Sequence, residues 1–503
     1  MNSKELQKKY CKNKSLFHDY IYDIKKQMKV DIFSVINLTV ISNPYTTEFP
    51  KKFFIGEYIK ENKFFLFIKS SGKFYLRQCY SLASYFFAFL LFKIYYKKNR
   101  IQDQESILID VFLLVDNIIK DKHFNEKYFN GLYDVLDSYK KKYIYLPRLY
   151  NSHKNPFKLI KLFKIINQDK RKFLFEFELV TIKDFIYLSY LILAYPFKTL
   201  RLLKKECLKR DALFNQELLK DISSSSFSAF SRYIFGRNIA KLACMERRVY
   251  SWSEFQVIER SFNYGVRTQT NKIKLYGCQF YLNYETYFNT YIYDIDFEQK
   301  TSYHTVLVNG PYYVKDRKKV HYKNGVSLRY ENIFTFSGVK EERDILLLGS
   351  YIELDTKYIL RSANRLGSVI LKNHPVVKVE SLGVLSDNIQ IVDDDIYSLF
   401  VNCKLAIGTA SGSVLEAVAC GVSVIVVASQ SNLTANPLVD YGKGKIWELA
   451  TTEDEVYKLH EELIKYRNNN AIEIQEIANW YKTNFFIEPT EKNIAKVFGL
   501  NKD

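Results

Sequence analysis

Residues 388–427 read NIQIVDDDIYSLFVNCKLAIGTASGSVLEAVACGVSVIVV, and residues 368–377 just before them read SVILKNHPVV. Short β-branched runs end in glycine or small polar residues, and each gives way to a helical pattern. Runs of this kind, bounded by turn signals, are the mark of strands buried on both faces of a parallel sheet. The strands are predicted at Ile345–Leu348, Ser368–Lys372, Ile389–Val392, Leu405–Ile407 and Val422–Val427. Helices are predicted between them at Leu354–Leu366, Asp395–Asn402 and Ser413–Ala419. Alternation of this kind builds right-handed βαβ units into a doubly wound sheet. Ligands of such sheets bind at the carboxyl ends of the strands. Gly349, His374–Pro375 and Gly408–Ser413 all fall at such ends.

Working outward, helices are predicted at Glu453–Tyr466 and Ile472–Thr483, so this α/β domain spans 336–485. The last segment, 486–503, could pack back on the first half of the chain. Upstream, 316–335 has few apolar runs and several charges and reads as a linker. Residues 1–315 then form a first α/β domain with helical additions. Its strand candidates include KYIYLP at 142–147, Val249–Trp252, Lys272–Gly277 and Val306–Val308. SILIDVFLLV at 106–115 reads as a buried strand or helix, FFLFIKSS at 64–71 as strand-like, and SSSSFSAFS at 223–231 as a loop. A helix is predicted over Ser253–Asn263, with Ser253 as a cap.

A chain of 503 residues is too long for one core and implies two or three domains. Lys and Arg outnumber Asp and Glu by 74 to 55, a net charge of +19. Such a balance points to anionic partners. A composition with 40 Tyr, 38 Phe and many Lys, Ile and Asn, of the sort an AT-rich genome yields, accounts for the charge equally well. The basic residues are spread along the chain and no nucleic-acid motif is present, so a nucleic-acid partner is not expected. The seven cysteines include no CxxC pair, which fits a reduced cytoplasm and no zinc knuckle. The charged start MNSKELQKKYCKNK is not expected to be a secretory signal. Two apolar runs, Ser81–Phe92 and Phe185–Phe197, fall short of the ~20 residues that span a bilayer. Buried core helices are the default for both. Interfacial helices are the alternative, because Lys97, Lys98 and Arg100 follow the first run and Arg201, Lys204 and Lys205 the second.

Several groups could carry chemistry. The small residues Gly408, Thr409, Ser411, Gly412 and Ser413 join a strand to a helix, where backbone amides and hydroxyls can hold a phosphate. Glu416, one turn into that helix, could meet a ribose. The bland alternative is a tight turn with Ser413 and Glu416 as a capping box. His374, stiffened by Pro375, could donate to a phosphate oxygen or be an ordinary satisfied polar group. Asp393–Asp395 is read as a helix start rather than a metal triplet, because carboxylates there oppose the helix dipole. No metal and no cofactor is expected. In the first domain Glu254 follows a strand and is the candidate general base, or else a solvated helix-start residue. Gln279 and Asn309, also after strands, and Gly349 are further cleft candidates.

Residues 389–427 resemble the C-terminal domain of GT-B glycosyltransferases, in which a small-residue loop leads to a Glu-Ala helix and another strand. LKNHP at 371–375 is similar to the His-Pro element of bacterial Kdo transferases, polysialyltransferases and polyol-phosphate polymerases. VYSWSEFQVIERSFNYG, KIKLYGCQF and VLVNGPYY resemble elements of bacterial surface-carbohydrate biosynthesis proteins. The resemblance implies two Rossmann-like domains facing across a cleft, with extra helices on the first. It implies that His374, Ser411 and Ser413 hold donor phosphate and that Glu416 faces the ribose. The implied activity is metal-independent transfer of a sugar from a nucleotide donor, CMP-linked in preference. The acceptor would be a surface glycan such as O-antigen or capsule, or a lipid-linked precursor, met at the anionic inner face of the cytoplasmic membrane. Alternatives on the same fold are a CDP-polyol phosphotransferase and a non-catalytic scaffold of the assembly machinery.

Overall fold

In the second half of the chain, neighbouring residues of each strand bury into opposite sides of one sheet. Ile345 and Leu347, Leu405 and Ile407, and Ile425 and Val427 enter one apolar cluster. Leu346 and Leu348, Ala406, and Val424 and Val426 enter another. Two buried faces explain why these strands read as continuous apolar runs without alternation. The computed structural model describes residues 3–56, 60–97, 107–149, 155–242, 246–284, 291–340, 344–374, 377–383, 386–409, 411–430 and 433–500. The first domain carries β1 (Ile107–Leu113), β2 (Tyr143–Leu149), β3 (Arg247–Trp252), β4 (Ile273–Gln279), β5 (Thr305–Val308) and β6 (His321–Asn324). The second carries β7 (Asp344–Leu348), β8 (Val369–Lys372), β9 (Ile389–Val392), β10 (Cys403–Gly408), β11 (Ser423–Val427) and β12 (Trp447–Ala450).

Both six-stranded sheets are parallel throughout. The first runs β2-β1-β3-β4-β5-β6 and the second β12-β11-β10-β7-β8-β9. Read from its other edge, the second has the Rossmann order, with the winding reversing between β7 and β10. In the first the reversal falls between β1 and β3. The two domains face each other across a cleft, so the architecture is α/β and GT-B-like. An apolar cluster runs from Val249 and Leu275 of the first sheet through Leu282, Tyr330 and Phe485 to Val424 of the second. The chain crosses back beside Gly310, where any Cβ would lie 2.4 Å from the Phe485 carbonyl carbon. The last helix, Glu491–Phe498, then packs on the first sheet. There Tyr250 donates its hydroxyl to the Phe498 carbonyl at 3.0 Å, and the two rings lie 4.7 Å apart.

Several sequence expectations need correction. The stretch 316–335 is not a linker, because it supplies β6, the edge strand of the first sheet. Its sequence, HYKN, is largely exposed and carries no apolar run; charged side chains are usual on edge strands. FFLFIKSS lies inside a 33-residue helix, Lys63–Tyr95, capped by Asn62 accepting from the Phe64 and Phe65 amides. That helix is apolar on its buried side and on much of its outer side, which hides the helical period. The serine-rich segment breaks only at Ser225–Ser226, between helices Lys209–Ser224 and Phe227–Lys241. Ser224 ends the first of these helices and donates its hydroxyl to the Asp221 carboxylate at 2.7 Å. The helix predicted from Ser253 starts instead at Val257 and leaves Ser253–Gln256 as a loop.

Candidate active site between the two sheets

Each sheet sends the loops at its reversal point into the same space. Leu114 follows β1, and Trp252 and Glu254 close β3; Tyr351 follows β7, His374 follows β8, and Ser411–Ser413 follow β10. Together with Glu416, Arg329, Lys127 and Tyr281 they line a cleft of about 660 Å³ between the domains. A sequence-predicted general base and most of the sequence-predicted phosphate-binding residues therefore share one cavity.

Glu254 is half-buried and accepts a hydrogen bond from Gln256 Nε2 at 2.8 Å. The loop carrying it is held from both sides. Phe255 adopts φ +54°, a left-handed conformation that is costly for a side chain of this bulk. Its carbonyl accepts from Asn43 Nδ2 at 2.9 Å and Arg260 Nε at 3.3 Å. Arg260 is fixed in turn by Asp296, at 2.7 Å, which also receives buried Lys25 at 2.9 Å. On the other side Arg148 donates to the Trp252 carbonyl at 2.8 Å, to both oxygens of Asp110, and to Glu259 at 2.6 Å. Glu259 caps the following helix through the Gln256 amide at 2.7 Å and is buried, so it supports the loop rather than facing the cleft. Asp116 is exposed and pairs with Lys158 at 2.5 Å.

On the opposite wall His374 is half-buried, and burial lowers its pKa, which keeps the ring neutral near pH 7. Gly349 lies behind it rather than in the cleft lining: a Cβ there would come 2.9 Å from the His374 amide nitrogen. Ser411 Oγ accepts from the Ser413 amide at 3.2 Å. Gly412 faces the first domain, where a Cβ would meet Leu282 Cδ1 at 3.2 Å. Glu416 makes no capping box with Ser413; its carboxylate accepts from the Tyr397 hydroxyl at 2.5 Å. Burial raises the Glu416 pKa, while Tyr397 and the Arg329 guanidinium oppose that rise. Asp395 caps the helix Ile396–Phe400 by accepting from the Tyr397 amide at 2.9 Å.

The other candidates fall elsewhere. Gly408 and Thr409 lie beneath the loop; a Cβ on Gly408 would come 3.0 Å from Leu348 Cβ, and the Thr409 hydroxyl is buried without a partner among the described residues. Pro375 lies outside the described residues. Gln279 opens on a separate tyrosine-lined hollow with Tyr312 and Tyr322. Asn309 is fully buried, with both side-chain amide atoms unpartnered among the described residues. Arg329 is not legible in the sequence because it stands in a charged stretch, 316–335, with few apolar runs. Its guanidinium lies 5.4 Å from the Trp252 ring centroid and beside Glu416. The only signal was an Arg close before the aromatic Tyr330, which is too common to single out.

No protein-family model matches this chain, and no curated protein does. Among solved structures it is similar to UDP-GlcNAc 2-epimerase from Neisseria meningitidis, at 10% identity over 78% of this chain and 100% of that one, with a TM-score of 0.41. It is also similar to the glycosyltransferase SnogD from Streptomyces nogalater, at 12% identity over 79% and 100% of the chains and a TM-score of 0.37. The pneumococcal O-GlcNAc transferase GtfA is a third, at 11% identity over 53% of this chain and 59% of that one, with a TM-score of 0.33.

Proposed function

We propose that this protein is a glycosyltransferase that moves a sugar from a nucleotide-activated donor to a bacterial surface glycan or its lipid-linked precursor. The observation that carries the proposal is the shared cleft: Glu254 enters it from the first sheet, and His374, Ser411–Ser413 and Glu416 enter it from the second. The donor lies against the second domain, its phosphate near His374 and the Ser411–Ser413 loop and its ribose near Glu416. Glu254 accepts the acceptor hydroxyl proton as that oxygen attacks the anomeric carbon. The bond from that carbon to the phosphate oxygen breaks, and the nucleotide leaves with the electron pair. Arg329, Lys127 and a neutral His374 N–H are the groups available to offset the charge that develops on the phosphate. A CMP-linked donor is favoured by the His374 element. The protein is proposed to work in the cytoplasm, peripheral to the membrane.

The test is a thermal-shift titration with CMP, CDP, UDP and GDP, followed by product analysis with the matching sugar donor. A ligand at 100 times its Kd stabilises the native state by about 2.7 kcal/mol, so binding is readily visible. A shift with a cytidine nucleotide, lost in His374→Ala, supports the proposal. Absence of any shift with all four nucleotides removes it.

A further inference from the structure

Two helices of the first domain carry an apolar face that stays exposed among the described residues. Helix Lys63–Tyr95 buries Phe74, Tyr85, Phe89 and Phe92 on its inner side. Its outer side carries a second stripe, Phe65, Ile68, Leu76, Tyr80, Phe87 and Ile94, at helical spacing, with Leu76 78% exposed. Gly72 falls in the gap of that stripe and faces open space. Helix Ile182–Leu200 repeats the arrangement with Ile182, Ile186, Tyr190, Leu193 and Phe197, and Ile186 is 67% exposed. The helices lie side by side: the Tyr75 hydroxyl donates to the Leu193 carbonyl at 2.9 Å, and the Phe67 and Phe197 rings are 6.1 Å apart. The exposed stripes thus form one face, of a kind that monomeric soluble proteins rarely leave open.

The charge around this face is one-sided. Helix Lys63–Tyr95 contains no Asp or Glu, and the other helix contains only Asp184, which serves its capping box. Directly after Phe197 the chain enters a cavity of about 550 Å³ lined by Lys29, Lys198, Arg201, Lys204 and Lys205. Its one acid, Asp31, is occupied by the Phe33 and Ser34 amides at 2.8 and 2.9 Å. Phe33 of that cavity wall sits 6.5 Å from the Tyr190 ring, so basic cavity and apolar face are continuous. Among the described residues no helix is long and apolar enough to cross a membrane.

The geometry points to this face as a docking surface for an anionic lipid bilayer. The two stripes enter the acyl boundary side-on, and the lysine and arginine cavity takes anionic headgroups. Charge selects this occupant over a second copy of the chain. A second copy would bring another net charge of +19 to a face already rimmed by Lys198, Arg201, Lys204 and Lys205, whereas an anionic bilayer brings the opposite charge. The inference deepens the peripheral location proposed above and holds whichever sugar is moved.

Vesicle flotation tests it, with nucleotide thermal shift as a separate readout of the cleft. Wild-type protein is expected to float with phosphatidylcholine vesicles containing about 30% phosphatidylglycerol, at least about tenfold more than with phosphatidylcholine alone, and less at high salt. Arg201→Glu with Lys205→Glu should abolish the preference for phosphatidylglycerol. Ile186→Glu with Leu193→Glu should abolish flotation and leave the nucleotide shift unchanged. The milder pair Ile186→Ser with Leu193→Ser replaces it if far-UV circular dichroism shows the glutamate pair unfolded. Failure of wild type to float at low salt overturns the proposal, as does flotation of the apolar variants at wild-type level. A wild-type dimer that these variants split, with no vesicle binding, assigns the face to a second copy and also overturns it.

Discussion

Glu254 and His374 stand on opposite walls of one cleft, and each has a distinct expected failure. Glu254→Gln is nearly isosteric, and its amide oxygen can keep the bond from Gln256. Turnover should fall by about 10²–10⁴-fold with nucleotide affinity unchanged, the signature of a lost general base. Wild-type turnover in this variant would move the proton acceptor elsewhere. Glu259 is not the replacement, since it is buried against Arg148. His374→Ala should weaken donor binding by about 1.5–3 kcal/mol, measured by calorimetry, as expected for a hydrogen bond to a charged phosphate. Unaltered affinity in that variant would exclude His374 from the site.

Helix packing and tethering set where these residues stand. Helices Phe227–Lys241 and Val257–Arg267 cross so closely that a Cβ on Gly265 would lie 2.4 Å from the Tyr233 carbonyl oxygen, and one on Gly236 2.5 Å from that of Phe262. Backbone cannot yield cheaply, so Gly265→Ala should destabilise by at least about 1–3 kcal/mol in urea unfolding. An unchanged midpoint would mean the helices separate freely. The N-terminal helix Ser3–Gln27 is tied to the same domain by His18, whose Nδ1 lies 2.9 Å from the Tyr45 hydroxyl and 2.8 Å from that of Tyr293. Burial, with Lys14, Lys25 and Arg317 nearby, pushes the His18 pKa from 6.5 down to about 4. Below pH 6.5 the unfolded chain takes up a proton that the folded ring refuses. This contribution to stability is therefore present above pH 6.5 and lost as pH falls through 4. His18→Gln should flatten the decline between pH 7 and 5; a slope equal to wild type would place the acid sensitivity elsewhere.

At the scale of the whole molecule, helix Glu491–Phe498 closes over the first sheet. Phe498 packs on Tyr250 and Phe280, and its carbonyl accepts from Tyr250 and Arg248. Phe498→Ala should cost about 3–5 kcal/mol, the range for a fully buried ring, read as a fall in the denaturant midpoint. If the midpoint stays put, the terminal helix is an ornament and the first sheet stands without it. The apolar cluster through Leu282, Tyr330 and Phe485 belongs to both domains, so such damage should also loosen the cleft.

Much of the second domain was legible in residues 345–427 because each strand there is locally apolar and punctuated by turns. The placement of β9 and of helix Ser413–Ala419 needed no tertiary information. The candidate site is legible as far as strand ends are: Glu254, His374 and Ser411–Ser413 all follow strands with a local apolar signal. Strands lacking a local signal were not legible. His321–Asn324 and Trp447–Ala450 have no β-branched run and become strands only because β5 and β11 offer them an edge. Helix Lys63–Tyr95 reads as strand-like at 64–71 because an outer apolar stripe masks its period. Arg329 enters the cleft, and Gln279 and Asn309 fall outside its lining, through long-range packing that no window of sequence contains. Local hydrophobic pattern writes elements into a sequence; which strand ends meet across a cleft depends on contacts between residues far apart in the chain.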